Sequence, residues 1–304
     1  MSNIVADVIP ILVVGISLGS LYGLVGLAFT VIINATQLVN FGQGDFAMVG
    51  VAVCWFLTSV LGFPLWLSLP IGVLGGGALG LLTDKAIVTP LLKKGASPFA
   101  PILGTMTIGM IAAGLIGIYT GFYWMPINYF FSIRPWSLRG VNIDTQGALV
   151  IVATFMLVVS YWYLLNRTRT GMALRATGFH REVSILLGIQ TSRMVALSFL
   201  ISGFISAIAG ILCAPLSNFT AHDGLPLAIN GFVALVVGGW GNPYAAVLGG
   251  LTLGLIRAVL TGYFSSAHAE MVTFIVLILV LTIKPQGVFS RFMIPKYHKD
   301  PGAK

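Results

Sequence analysis

Charged side chains are scarce in this sequence. Asp, Glu, Lys and Arg make up only 8% of its 304 residues, whereas 57% of the residues are hydrophobic. A soluble domain averages about 25% charged residues, so this chain would lack a polar surface in water. In lipid the outer face of a protein is as apolar as its interior, and a helix satisfies its own backbone polar groups. The composition therefore predicts an integral membrane protein of the all-α class.

The sequence also lacks the groupings of side chains that metal sites and active sites need. Its two cysteines, Cys54 and Cys213, fall in separate apolar stretches, and its four histidines are scattered without metal-ligand spacing. Acids, bases and nucleophiles do not cluster, and the phosphate-binding pattern G-x-x-x-x-G-K-[ST] is absent. We predict no catalytic residue, no metal and no cofactor in this chain, and we expect that it is not an enzyme.

Eight apolar stretches approach or exceed the roughly 20 residues that a helix needs to cross a bilayer. They run over 8–33, 38–61, 65–90, 98–124, 146–165, 194–216, 228–262 and 267–283. The sequence predicts a single membrane domain, 1–304, with about eight transmembrane helices and with broken or re-entrant segments near 40–46 and 238–244.

The stretch 228–262 is interrupted at Trp240-Gly241-Asn242-Pro243. Either both of its pieces cross the membrane or the first piece is re-entrant. We favour three short crossings, over 228–240, 244–262 and 267–283, because they bring the C-terminus to the cytoplasmic side.

The formal net charge of +8 comes mostly from residues between the apolar stretches. No aromatic residues suited to stacking bases accompany them, so we predict no nucleic-acid partner. Lys and Arg are enriched in cytoplasmic loops of membrane proteins. This rule predicts a cytoplasmic loop at 166–193, an external loop at 125–145, an external N-terminus and a cytoplasmic C-terminus.

Small residues recur every fourth position in three places. On a membrane helix such residues form one face that lets a second helix approach closely. The pattern therefore predicts close helix packing at Gly15, Gly19 and Gly23, at Gly72, Gly76 and Gly80, and at Ser202, Ser206 and Gly210.

The segment from Asn40 to Phe46 places two amides and a carboxylate between two apolar stretches. Its glycines permit backbone shapes that break a helix, and an acidic group inside a membrane is costly unless it is functional. Two interpretations remain open: a broken helix that lines a polar path, or a cytoplasmic turn capped by Asp45. A similar interruption at 238–244 in the other half of the chain favours a transporter site, since paired interruptions are typical of one.

A third segment, Arg181 to Leu187, has the pattern of a short amphipathic helix. Val183, Leu186 and Leu187 share one helical face, with Arg181 and Glu182 outside it, and Gly188 is typical of a helix C-cap. Such a helix lies on the lipid surface or fits a groove in another protein.

Four segments in order resemble the Liv-type permease subunit of branched-chain amino acid ABC importers. Val39-Asn40-Phe41-Gly42-Gln43-Gly44-Asp45 resembles its N-F-A-H-G-E signature, and Lys284-Pro285-Gln286-Gly287-Val288-Phe289 resembles its terminal R-P-Q-G-L-F. Its coupling loop is similar to Gly171-Met172-Ala173-Leu174-Arg175-Ala176 followed by Ser184-Ile185-Leu186-Leu187-Gly188-Ile189. Its glycine-rich segment is similar to Val236-Val237-Gly238-Gly239-Trp240-Gly241-Asn242-Pro243 with Val247-Leu248-Gly249-Gly250.

The resemblance implies a multi-pass permease subunit in the bacterial inner membrane, surrounded by lipid. It implies pairing with a second homologous permease, substrate delivery by an external (periplasmic) solute-binding protein, and two cytoplasmic ATPase subunits that hold the ATP and Mg. We expect the substrate path to include Asn34, Asn40, Gln43, Asp45, Trp240 and Asn242. We expect the ATPase coupling surface to include Arg175, Arg181, Glu182, Leu186, Leu187 and Gly188.

Three departures from the family pattern leave the substrate open. Gln43 stands where the signature has His, Ser184 stands where the coupling loop usually has Ala, and Asn242-Pro243-Tyr244 replaces small residues. Urea, short amides and aromatic carboxylates are therefore alternatives to branched-chain amino acids.

A stand-alone facilitator or ion-coupled carrier is the competing hypothesis, and it needs ionisable residues inside the spans. The candidates are Asp45, Asp84, Arg257 and Glu270. Arg257 lies about 7 Å of helix from Gly262, so we expect it to extend toward the membrane interface.

Overall fold

The computed structural model describes residues 2–97, 99–130, 136–138, 141–143, 145–263 and 266–289. Its helices are α1 (Ser2–Thr36), α2 (Gln43–Trp55), α3 (Leu65–Thr83), α4 (Thr89–Lys93), α5 (Phe99–Thr120), α6 (Thr145–Arg167), α7 (Arg169–Phe179), α8 (Arg181–Leu186), α9 (Thr191–Cys213), α10 (Gly224–Gly238), α11 (Pro243–Tyr263) and α12 (Ser266–Ile283). A π-helical turn, Phe56–Val60, extends α2, and a second one, Asp84–Val88, joins α3 to α4. A short 3-10 turn, Ala214–Leu216, follows α9.

Within the described ranges, seven helical segments are long and apolar enough to cross a membrane. They are Ile9–Thr36, Gln43–Val60, Leu65–Lys93, Phe99–Thr120, Thr145–Arg167, Thr191–Leu216 and Pro243–Tyr263. Gly224–Gly238 and Met271–Ile283 are shorter apolar helices. The predicted all-α architecture of about eight spans is confirmed. The loop at 125–145 adds a small antiparallel hairpin, with β1 (Trp136–Leu138) paired to β2 (Val141–Ile143), that periodicity did not indicate.

The first glycine pattern joins α1 to α11. A β-carbon at Gly19 would lie 2.7 Å from the Leu251 Cα, and one at Gly23 would lie 3.0 Å from the Val247 Cα. Only glycine permits this approach of two backbones. Because Gly15 faces Ala258 while Gly23 faces Val247, the two helices are antiparallel.

The second glycine pattern joins α3 to α2 and α9. A β-carbon at Gly72 would lie 2.7 Å from the Gly50 carbonyl oxygen, and one at Gly76 would lie 2.7 Å from the Phe46 carbonyl oxygen. Gly80 in turn packs against the Phe199 backbone on α9. The predicted close packing at these small residues is therefore confirmed, and it forms the compact centre against which the other helices lie.

One end of the bundle, where α1, α4 and α6 finish and α9 begins, holds most of the described basic residues; we call it the basic end. It carries Lys93, Lys94, Arg167, Arg169 and Arg193. The short helices α7 and α8 lie there as well, since Gly178 on α7 packs against the Asn34 carbonyl at the end of α1.

The last three helices run in alternating directions. Gly238 packs against Ala245 and Gly249 packs against Ala234, so α10 and α11 are antiparallel. After α12 the Val288 N–H donates to the Val237 carbonyl oxygen at 2.8 Å, which fixes the end of the described chain beside the end of α10. The arrangement supports three successive passes, with bounds at 224–238, 243–263 and 266–283 instead of the predicted edges.

Candidate functional site

Helix α2 begins inside the bundle and not at its end. Its first residue, Gln43, donates from Nε2 to the Ser202 carbonyl oxygen at 3.1 Å, and the Ser202 hydroxyl lies 2.8 Å from the Ala28 carbonyl oxygen. Ala28 is eight residues from the end of α1, which is about 12 Å of helix. The chain reverses at Gln37, which has a φ of 58°, and returns into the bundle without helical structure. This geometry supports the broken-helix interpretation of 40–46 over the cytoplasmic turn.

Amide and hydroxyl groups hold the start of α2 in place. The Asn40 Nδ2 donates to Gln43 Oε1 at 3.3 Å, and the Gly42 N–H donates to Asn40 Oδ1 at 3.1 Å. The Gln43 Nε2 also donates to the Ser206 hydroxyl, and the Ser202 hydroxyl lies 2.8 Å from Gln43 Oε1. Asn40 and Gln43 are both buried. Their side chains therefore anchor α2 to α9 in this conformation and present no polar surface of their own.

Asp45 lies two residues further on, at about the middle of the membrane-spanning region. Its carboxylate oxygens overlap the positions that β-carbons would take at Gly109 on α5 and at Gly224 on α10. Gly109 is ten residues into α5, or about 15 Å of helix from its start. Gly44 packs against the Gly224 carbonyl oxygen, so the first turns of α2 and α10 meet beside this carboxylate.

An aromatic cluster, defined here as Phe29, Phe41, Phe232 and Trp240, lies between this point and the basic end. The Phe41 ring centroid is 6.2 Å from that of Phe29 and 5.3 Å from that of Phe232. Phe232 is 6.2 Å from Trp240, edge to face. Trp240 is 50% exposed, so the cluster reaches the surface of the chain. The structure thus joins the two interrupted segments, at 40–46 and 238–244, through ring contacts.

The turn between α10 and α11 explains why the second interruption has its sequence. Gly239 and Gly241 have φ values of 142° and 77°, which glycine adopts without steric cost. The Asn242 Oδ1 accepts hydrogen bonds from the N–H groups of Tyr244 and Ala245, at 3.1 and 3.2 Å. Asn242 therefore caps α11, and this is the role that the geometry supports for it.

Asn34, also predicted on the path, lies at the basic end, away from Asp45. Its carbonyl oxygen packs against Gly178 on α7, and its Oδ1 faces Gly241. The Tyr161 side chain on α6 hydrogen-bonds to it. Asn34 therefore ties α1, α6, α7 and the α10–α11 turn together.

The predicted coupling residues divide into two groups. Arg175 is half-buried against the end of α6, where its Nη2 donates to the Leu165 carbonyl oxygen at 3.1 Å and to the Asn166 side chain. Leu186 and Leu187 are 87% and 73% exposed. The exposed residues of α8 and its C-terminal turn are Arg181, Glu182, Val183, Ile185, Leu186, Leu187 and Gly188.

The end of α8 forms as the glycine predicted. Gly188 has a φ of 80° and no neighbour within 4 Å of a β-carbon. The Ile189 N–H donates to the Ser184 carbonyl oxygen at 2.9 Å, which closes the turn. The chain thus presents a projecting apolar surface beside basic residues at the basic end.

Comparison with known proteins places this geometry in a family. The family model described as branched-chain amino acid transport system / permease component matches residues 11–281. The chain belongs to this permease family.

Individual relatives agree with the family match. LivH of Salmonella typhimurium is named a high-affinity branched-chain amino acid transport system permease protein; it is 27% identical over 301 residues, covering 93% of this chain and 95% of that protein. The probable LivH of Methanocaldococcus jannaschii is 29% identical and covers 87% of both. The ribose import permease RbsC of Haemophilus influenzae is 25% identical, covering 85% of this chain and 79% of that protein. The solved structure of PsaBC from Streptococcus pneumoniae in complex with Fab has a TM-score of 0.51 at 12% identity, covering 93% and 92% of the two chains, which supports the fold alone.

Several residues of the permease site were not predicted. Ser202 and Ser206 were identified only as small packing residues, but their hydroxyls also hold Gln43. Gly109 and Gly224 lie against Asp45, and their sequence positions, inside an apolar stretch and in a loop, gave no sign of it.

Arg257 is expected to extend toward the membrane interface, and that stays a prediction; the structure shows its neighbours. Its Nη1 donates to Asn230 Oδ1 at 2.9 Å, and its guanidinium carbon lies 5.5 Å from the centre of the Tyr22 ring. A hydrogen bond to α10 and a cation–π contact with α1 thus hold the half-buried side chain. The Glu270 side chain, another predicted candidate, lies outside the described part of the structure.

Proposed function

We propose that this permease is a membrane subunit of an ATP-binding-cassette importer of branched-chain or related amino acids. It pairs with a second homologous permease, receives substrate from an external binding protein, and is driven by separate ATPase subunits that hold ATP and Mg. The family match over residues 11–281 carries this proposal. Relatives whose names specify branched-chain amino acids cover nearly the whole chain, which supports that substrate class over sugars, urea or aromatic carboxylates.

The substrate passes along the face where α2, α5 and α10 meet. Asp45 supplies a polar group at mid-depth, and the aromatic cluster supplies an apolar surface toward the basic end. Asn40 and Gln43 contribute by holding α2 in position, and Trp240 contributes directly through its exposed ring. The second permease closes this face, since a polar group at membrane depth requires cover from protein or a water-filled cavity.

The basic end is cytoplasmic, which follows from the enrichment of Lys and Arg in cytoplasmic loops. The N-terminus is then external, and the described C-terminal segment is cytoplasmic, in the inner membrane of a bacterial cell. In this orientation α8 faces the ATPase. Leucine side chains exposed to water at 87% and 73% gain free energy when a partner's groove buries them.

Purification of the tagged chain from its native membrane tests the proposal. We expect two ATPases and a second permease to co-purify, and we expect vesicles to take up leucine in an ATP-dependent manner. Uptake of urea or benzoate in place of leucine would retain the importer and change the substrate. Uptake by the isolated chain without ATP would refute the importer and support the facilitator.

The substitution Leu187→Asp tests the docking surface. A carboxylate buried in an apolar groove is costly, so ATPase recovery falls at least tenfold, which corresponds to about 1.4 kcal/mol. Ile283→Asp is the matched control, because Ile283 is 72% exposed at the end of α12, at the basic end but outside the coupling loop. Equal losses in the two variants, or no loss for Leu187→Asp, would contradict docking through α8.

A further inference from the structure

We propose that the Asp45 carboxylate recognises the ammonium group of the transported amino acid. This inference rests on the proposed import function and adds to it the residue and the charge that select the substrate. Two neighbouring features support it. A buried carboxylate lies where α2, α5 and α10 meet, and the aromatic cluster beside it suits an apolar side chain.

The carboxylate is buried but has no protein partner among the described residues. Asp45 is only 6% exposed, and no described donor forms a hydrogen bond with its side chain. In the described part of the chain, every fully buried side-chain nitrogen or oxygen has a partner. The Asp45 oxygens therefore keep a small accessible surface, through which a ligand reaches them.

The charge of this group selects a cation. A carboxylate inside a membrane protein is costly unless another group compensates it. Asp45 lies in the first turn of α2 and beside Gly224 at the start of α10, and the positive ends of helix dipoles offset only part of that cost. An arriving ammonium supplies a full opposite charge and hydrogen-bond donors.

The glycines limit the size of the cation. Gly109 and Gly224 bring backbone against both carboxylate oxygens, so a compact primary ammonium fits this position better than a planar guanidinium with its five donors. Phe41 lies four residues before Asp45, and its ring contacts that of Phe232 in a tilted arrangement. These rings receive the apolar side chain of a branched amino acid while its ammonium contacts Asp45.

A thiol reporter beside the carboxylate tests the inference without transport. Leu225→Cys places the reporter next to Gly224, at a position that is 43% exposed. The native Cys54 and Cys213 are buried, and the complex without the reporter controls for them. In the purified complex we compare labelling rates for two methanethiosulfonate reagents, one carrying an ammonium and one a sulfonate.

We expect the ratio of cationic to anionic labelling rates to fall at least about fivefold on Asp45→Asn, since a charge in a cleft raises the local concentration of counter-ions about tenfold or more. Leucinol, which has the ammonium but no carboxylate, slows labelling in the Asp45 protein. The same side chain without the ammonium, 4-methylpentanoate, does not.

Four results would overturn the inference. They are an unchanged ratio on Asp45→Asn, an equal fall on Asp223→Asn, protection by sodium chloride as strong as that by leucinol, and dissociation of the complex on Asp45→Asn. Asp223 is a suitable control because its Oδ2 already accepts hydrogen bonds from the Thr220 N–H and hydroxyl, at 2.6 and 2.8 Å. Equal protection by sodium chloride would indicate that Asp45 binds an inorganic cation. Dissociation of the complex would indicate that Asp45 pairs with a basic side chain of the second permease. A separate measurement tests the proposed import function itself: if that proposal is wrong, the unmodified complex shows no ATP-dependent uptake.

Discussion

Replacing Gln43 by leucine separates a structural role from a direct role in transport. The side chain is fully buried and joins the start of α2 to α9 through Ser202 and Ser206. Leucine has a similar volume but no polar atoms, so the Ser202 carbonyl, the Ser206 hydroxyl and the Asn40 amide lose their partner. We expect Gln43→Leu to destabilise the protein and to displace α2.

The magnitude follows from the bonds that are lost. About three interhelical hydrogen bonds at about 0.6 kcal/mol each in a membrane protein amount to about 2 kcal/mol. Buried groups left without partners add about 1–3 kcal/mol, which brings the total to about 3–5 kcal/mol. At about 2–4 °C per kcal/mol for chains somewhat smaller than this one, the apparent Tm of the complex falls by at least about 6 °C.

Thermal unfolding of the detergent-solubilised complex measures this shift. Gln190→Leu is the matched control, because Gln190 is exposed and makes no capping hydrogen bond at the start of α9; surface substitutions of this kind usually change stability by less than about 0.5 kcal/mol. Gln43→His, which restores the residue type of the family signature, keeps a donor and an acceptor and recovers part of the shift. An unchanged Tm together with lost uptake would refute the argument and place Gln43 on the substrate path itself.

Glycine substitutions supply two further predictions. Gly109→Ala places a methyl group against the Asp45 carboxylate, so we expect it to lower ATP-dependent uptake severalfold. Gly114→Ala is the control and leaves uptake unchanged, because a β-carbon at Gly114 has no neighbour within 4 Å. Equal uptake in the two variants would refute the placement of Asp45. Gly178→Ala overlaps the Asn34 carbonyl, so it loosens α7 from α1 and lowers the Tm by a few degrees, and an unaltered Tm would show that this contact does not hold the two helices together.

Local signals in the sequence determined the class of structure and the places where it is interrupted. Apolar composition and stretch length suffice for an all-α membrane protein, because the bilayer imposes the same length on every crossing helix. The glycines at 239, 241 and 188 mark turns that need a positive φ, and this requirement is local. The exposed apolar face of α8 also follows from helical periodicity alone.

Which residues meet, and at what depth, depended on the tertiary structure. Asp45 has the sequence context of a loop residue near a membrane edge, but the return of the chain after Gln37 carries it to mid-depth, against glycines from two distant helices. Arg175 and Arg257 have the sequence context of free, exposed cations, yet Leu165 and Asn230 bind them and leave them half-buried. Periodicity reports which face of one helix is apolar. It carries no information about the neighbour on that face, because that neighbour is set by the packing of one helix against another.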